Sequence, residues 1–95
     1  MANVPGPGGA RATLDVSVPT VIKSSPGVVV RVVVVTAPTV AGGVYDSEVT
    51  SNLSALNQIA VIPTGSTQIM ELDWPCEFGI TVNPGTGGVL SVSYT

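Results

Sequence analysis

The chain has no histidine, a single cysteine, only three cationic side chains, and just one tryptophan, two tyrosines and one phenylalanine. Each shortage removes a class of chemistry. Without histidine, neither a Ser–His–Asp nor a Cys–His nucleophile system can be assembled, and zinc sites built from histidine with several cysteines are excluded as well. The lone Cys76 cannot form an internal disulfide, which fits a reducing compartment. Arg11, Lys23 and Arg31 are too few for a phosphate-binding stripe, because nucleic-acid affinity is built from many such contacts. No nucleic-acid partner is expected.

Charge is scarce overall: three Lys and Arg and six Asp and Glu in 95 residues, a net charge of −3. A folded monomer of this size exposes ~5,000 Å², so the charges are spread thinly over the surface. Such a surface tends to self-associate unless other protein covers it, and the composition therefore predicts a homo-oligomer or an assembly subunit. The longest apolar run is too short to cross a bilayer as a helix, so no membrane association is expected. Residues 1–10 lack the basic start and apolar segment of a secretory signal, so export is not expected either. Their Pro5-Gly6-Pro7-Gly8-Gly9 run carries too little apolar surface to pack as a layer. It predicts an extended N-terminal arm over residues 1–10 ahead of a single domain over residues 11–95.

What the chain does have is β-branched sequence cut by turn residues. Breaks are expected at Pro26-Gly27, Gly42-Gly43, Pro63-Thr64-Gly65 and Pro84-Gly85-Thr86-Gly87-Gly88, the rhythm of an all-β fold. The expected architecture is a small antiparallel β-sandwich, Ig-like or jelly-roll-like. Strand alternation then assigns faces. Ala12, Leu14, Val16 and Val18 are expected inward, with Thr13, Asp15 and Ser17 outward. Over residues 68–83 the even positions Met70, Leu72, Trp74, Cys76, Phe78, Ile80 and Val82 are apolar, with a bend expected at Trp74-Pro75 or Gly79 and Pro75 at a sheet edge or kink. Leu90, Val92 and Tyr94 form the inner face of a last strand. Residues 28–35 hold seven valines and Arg31, apolar on both faces, so this strand is either covered on each side or turned toward another subunit. Across residues 46–59, Val49, Leu53 and Leu56 at i, i+4 and i+7 after a cap at Asp46 or Ser47 suggest a short helix, with a long connecting loop as the alternative because Ser, Thr and Asn are weak helix formers.

Catalytic, cofactor and metal sites are not expected. Cys76 shares its parity with core residues, and the neighbouring Asp73 and Glu77 disfavour a thiolate. Glu71 and Asp73 sit two apart, as on the solvated face of any ordinary strand. Asp46 and Glu48 lack the spacing of a calcium loop. Gly85-Thr86-Gly87-Gly88 is not followed by a helix or by Gly-Lys-Ser/Thr, and so reads as a tight turn rather than a phosphate cradle. The residues left as interface candidates are Val4, Pro5 and Pro7 on the arm, Arg31 and Val33 on the valine strand, and Tyr45. Trp74 is expected in the core.

The segments Ile59-Ala60-Val61-Ile62-Pro63, Leu72-Asp73-Trp74-Pro75-Cys76, Gly79-Ile80, Pro84-Gly85-Thr86-Gly87 and Val92-Ser93-Tyr94 follow a recurring pattern. It resembles that of small head structural proteins of tailed bacteriophages and prophages, of the capsid decoration or cement type, over residues 21–95. The resemblance implies a non-enzymatic virion protein made in the bacterial host cytoplasm, placed on the capsid surface with the major capsid protein as partner. A neck or tail component, or a surface-recognition module for a host receptor or glycan, is the alternative. The shared positions are turn and core residues, so they specify a fold and no catalytic group.

Overall fold

The computed structural model describes residues 10–95 throughout and, ahead of them, the backbone of one short strand. The strands are β1 (Asn3–Pro5), β2 (Arg11–Val16), β3 (Thr20–Lys23), β4 (Gly27–Thr36), β5 (Gly42–Asp46), β6 (Gln58–Ile62), β7 (Gln68–Cys76), β8 (Ile80–Asn83) and β9 (Val89–Tyr94). They pair antiparallel in two sheets, β1-β2-β9-β4-β7 and β3-β8-β5-β6. After β2 the chain changes sheet at every connection except the β5–β6 loop. The result is an all-β sandwich, as the turn rhythm predicts.

The core is the space between the sheets. Val16, Val29, Val32, Val34, Cys76, Leu90, Val92 and Tyr94 enter it from the larger sheet, and Val44, Ile62, Ile80 and Val82 from the smaller one. Burying an aliphatic side chain of this size contributes about 1.5–3 kcal/mol, and valine suits a pleated strand, so this set accounts for the layering. Arg11–Tyr94, Ala12–Ser93 and Thr13–Val92 are paired residues of β2 and β9, which puts Ala12 outward beside Ser93 and Thr13 inward beside Val92.

That pairing corrects the alternation expected for β2. Thr13 is buried, whereas Leu14 and Val18 are exposed. The cause is a register shift between Thr13 and Val16, where Asp15 takes a left-handed φ of 58°. One extra residue reverses the faces on either side of it, and aspartate is among the few residues that adopt this conformation readily. A second shift lies between Val29 and Arg31 on β4. Val29 is therefore inward, and so are Val32 and Val34, while Arg31 points out.

The expected bend also moves. β7 runs unbroken through Pro75 to Cys76 and lies at the edge of its sheet, where a missing N–H does no harm. The break comes at residues 77–79, after which β8 joins the opposite sheet. Cys76, Ile80 and Val82 remain buried across that crossing, but Trp74 and Phe78 do not. Gly42 and Gly43 are a further correction, since they lie inside β5 rather than in a turn. Residues 84–88 do form a turn: Gly85 has φ +81°, and a Cβ there would strike the Val40 carbonyl. Only glycine fits such a position without strain.

Residues 47–57 form no helix. Leu56 is 99% exposed, so Val49, Leu53 and Leu56 do not share a buried face. Hydrogen bonds hold the loop in place of helical ones: Asn57 Nδ2 donates to the Asn52 carbonyl at 3.1 Å, and Asn57 Oδ1 accepts from Ser54 N at 3.0 Å. These are the local side-chain bonds by which Asn and Ser compete with a helix.

Candidate functional site

Two surfaces stand out among the described residues. The first is the outer face of the larger sheet, where β4 and β7 pair Val33 with Ile69 and Arg31 with Glu71. Val33 is half-buried, Val35 is 52% exposed and Ile69 is 66% exposed. Val33 and Arg31 also face Ser91 and Ser93 of β9. The charges among these residues are Arg31 and Glu71, which pair at 3.0 Å with both side chains open to solvent. An exposed pair of this kind contributes ~0–1 kcal/mol to folding, so it is not what holds the strands together. The valine strand is thus core on one side and uncovered on the other.

The second surface is built around Asp46, at the end of β5. Its Oδ2 accepts from Glu77 N at 2.9 Å, and its Oδ1 accepts from Phe78 N at 2.9 Å and Gly79 N at 3.4 Å. Burial pulls the Asp46 pKa upward, but the three N–H donors together outweigh it and hold the carboxyl below 3.8. Ser47 N donates to the Gly79 carbonyl at 3.2 Å, and Thr81 Oγ1 to the Ser47 carbonyl at 2.8 Å. A Cβ on Gly79 would fall 2.6 Å from the Lys23 carbonyl oxygen and 2.8 Å from that of Ser47. The backbone is packed from two sides there, and only a residue without a side chain fits.

This tether turns Phe78 outward. Phe78 and Trp74 are 61% and 52% exposed, and with Asp46, Leu56, Asn57, Gln58 and Ile59 they line an open cleft of about 340 Å³. A second cleft of about 260 Å³ shares Asp46, Asn57 and Phe78 and adds Ser47, Glu48 and Asn52. Trp74 therefore belongs to the surface and not to the core. Alternation missed both aromatics because β7 is an edge strand and Phe78 lies in a turn, where inward parity no longer guarantees a covering layer.

Cys76 is buried, as its parity predicts, with its thiol 3.9 Å from the Trp74 carbonyl. Burial first, and then the negative charge of Asp46, push its pKa to about 11, against a lowering hydrogen bond from Val29. The carboxylate that matters is Asp46, thirty residues away in sequence, and not the adjacent Asp73 or Glu77. A thiol so raised is a poor nucleophile at neutral pH, with a thiolate fraction a few hundredfold below that of a free cysteine of pKa about 8.5. Ellman's reagent is accordingly expected to leave the native chain unmodified at mildly alkaline pH and to titrate one thiol in denaturant. Prompt labelling of the native protein would contradict this burial.

The remaining candidates do not converge. Glu71 pairs with Arg31, while Asp73 sits at a left-handed φ of 46°, so the two carboxylates do not act together. Tyr45, on β5 of the smaller sheet, is half-buried with its ring close to Gly43, apart from Arg31 and Val33. Pro7 and the side chains of Val4 and Pro5 lie outside the described residues. The backbone of β1 pairs Val4 with Ala12 and Pro5 with Arg11. No helix among the described residues is long and apolar enough to cross a membrane. The chain matches no protein-family model, no curated protein and no solved structure.

Proposed function

We propose that this chain is a non-enzymatic structural protein of a bacteriophage particle, binding the outer capsid lattice as a decoration or cement protein that stabilises the head. The observation that carries the reading is the uncovered outer face of the larger sheet, where Val33, Val35 and Ile69 surround a single self-neutralising pair of charges. Apolar sheet face of this kind, on a chain with so few charges, is an association surface rather than a solvated one. The resemblance in residues 21–95 points the same way. Modest contacts repeated across a symmetric lattice add up by avidity, so no deep pocket is needed and a rigid sandwich is sufficient. The partners are the major capsid protein and further copies of this chain. The protein is made in the bacterial cytoplasm and carried on the capsid surface. Cys76 held as a thiol and Asp46 engaged with backbone N–H groups are structural groups in this reading, not catalytic ones.

The exposure of Trp74 and Phe78 favours a second reading, a neck or tail component or a surface-recognition module. Quantitative mass spectrometry of purified particles, scaled to the major capsid protein, separates the two. Copies in the hundreds are expected for a decoration protein. A handful per particle moves the chain to a vertex, neck or tail, and none overturns the virion reading.

A further inference from the structure

Three features of the cleft at Trp74 and Phe78 limit what it can receive. Several of its polar side chains are engaged within the chain: Asp46 with three backbone N–H groups, Asn57 with Ser54 and Asn52, and Gln58 Nε2 with the Ala60 carbonyl. What it offers a ligand is two aromatic rings with Leu56 and Ile59, beside polar surface from Asp46, Asn57 and Gln58. Next, the neighbouring charge is of one sign. Glu48 lines the second cleft, Glu77 precedes Phe78 in the turn and Asp46 lies beneath both, while neither cleft is lined by Lys or Arg. Arg31 is paired with Glu71, and Lys23 Nζ donates to the Thr95 carbonyl at 3.0 Å. A second copy docking this surface against itself would set acid against acid.

From the exposed aromatic rings and the acidic groups around them, we infer that the Trp74–Phe78 cleft docks a segment of another protein in which an apolar side chain is flanked by Lys or Arg. The apolar residue enters between Trp74 and Leu56, and the flanking cations meet Glu48 and Glu77 and the faces of the two aromatic rings. This surface is separate from the valine face, and the inference stands whether or not the chain belongs to a virion.

The test is selection of a random library of short displayed peptides on the immobilised full chain, with Trp74, the sole tryptophan, as a fluorescent reporter inside the cleft. Enriched peptides are expected to carry Lys or Arg next to Leu, Phe or Trp and to shift the Trp74 emission to shorter wavelength. They should bind Phe78→Ala about tenfold more weakly, and Val18→Ala, outside either cleft, without change. Glu48→Gln with Glu77→Gln should weaken binding and flatten its dependence on salt. Circular dichroism of each variant checks that the sandwich persists. Enrichment of acidic or uncharged peptides, no enrichment at all, or full binding to a folded Phe78→Ala chain would overturn the inference. So would an emission change produced by oligosaccharides and not by any peptide.

Discussion

If the proposed lattice role holds, replacing Val33 with aspartate is expected to leave a folded chain that neither self-associates nor saturates a capsid. Val33 stands on the outer face of β4, half-buried between Ile69 of β7 and Ser91 of β9. In a single copy an aspartate there keeps contact with water, and the expected cost is the ~1 kcal/mol that separates good from poor strand formers. In an association through this face the same carboxylate is buried without a partner. Taking about 2 kcal/mol for that burial, and counting it twice because a two-fold interface presents each residue on both sides, the dissociation constant rises about a thousandfold. Sedimentation gives the oligomeric state, and a particle-binding titration gives the occupancy. Val18→Asp is the control: Val18 is exposed in the link between β2 and β3, and a charge there should change neither measurement.

Ile69→Asp tests the same face from the neighbouring strand and should behave like Val33→Asp. If both variants fold and still associate with unchanged affinity, the outer sheet face is not the interface. If Val33→Asp unfolds the chain, β4 is core on both sides, contrary to the exposure of Val35 and Ile69 beside it. Arg31→Glu adds a sharper distinction. In the isolated chain Arg31 and Glu71 only neutralise one another. An interface that exchanges these partners between copies loses affinity in Arg31→Glu and regains it in the double variant Arg31→Glu, Glu71→Arg.

The layered β architecture was legible in the sequence because its cause is local. Alternation along β9 places Leu90, Val92 and Tyr94 inward, as observed, and proline and glycine mark the ends of several strands. Errors arose where one residue changed the phase. Asp15 adopts left-handed backbone at a position where no glycine announces it, and the slip between Val29 and Arg31 is hidden in a run of identical valines. Within that run no side chain distinguishes one register from the next. The two candidate surfaces were legible only in part. Arg31 and Val33 follow from the two-sided apolar strand, whereas Trp74 and Phe78 form a cleft because Asp46, more than thirty residues before Phe78, captures the turn that carries it. A clue was available in Asp46 closing a strand ahead of a loop rich in Ser and Asn, but its partners are backbone N–H groups, which carry no sequence signal.

Asp46→Ala should therefore cost far more than a loop substitution normally does, and should reshape the Trp74–Phe78 cleft. It removes the acceptor for the N–H groups of Glu77, Phe78 and Gly79. Each charge-assisted bond is worth about 1.5–3 kcal/mol, and water can replace part of this at an exposed turn, so the expected loss is about 2–4 kcal/mol. Asp46→Asn keeps one acceptor oxygen but turns an amide N–H₂ toward a backbone donor, and should lose about half as much. The acid limb of stability separates the charge from the geometry. Because the folded pKa lies below the ordinary 3.8, the unfolded chain takes up the proton first. The Asp46 contribution is thus complete well above 3.8 and disappears as pH falls from there through the depressed folded value. Urea midpoints measured from neutral to strongly acidic pH should converge for wild type and Asp46→Asn at the acid end and be furthest apart at neutral pH. A constant gap at every pH would mean that the carboxylate acts by shape alone. Since the turn it holds carries Phe78, quenching of Trp74 by iodide should rise in Asp46→Ala while the protein is still folded; if it does not, the cleft keeps its shape without the tether.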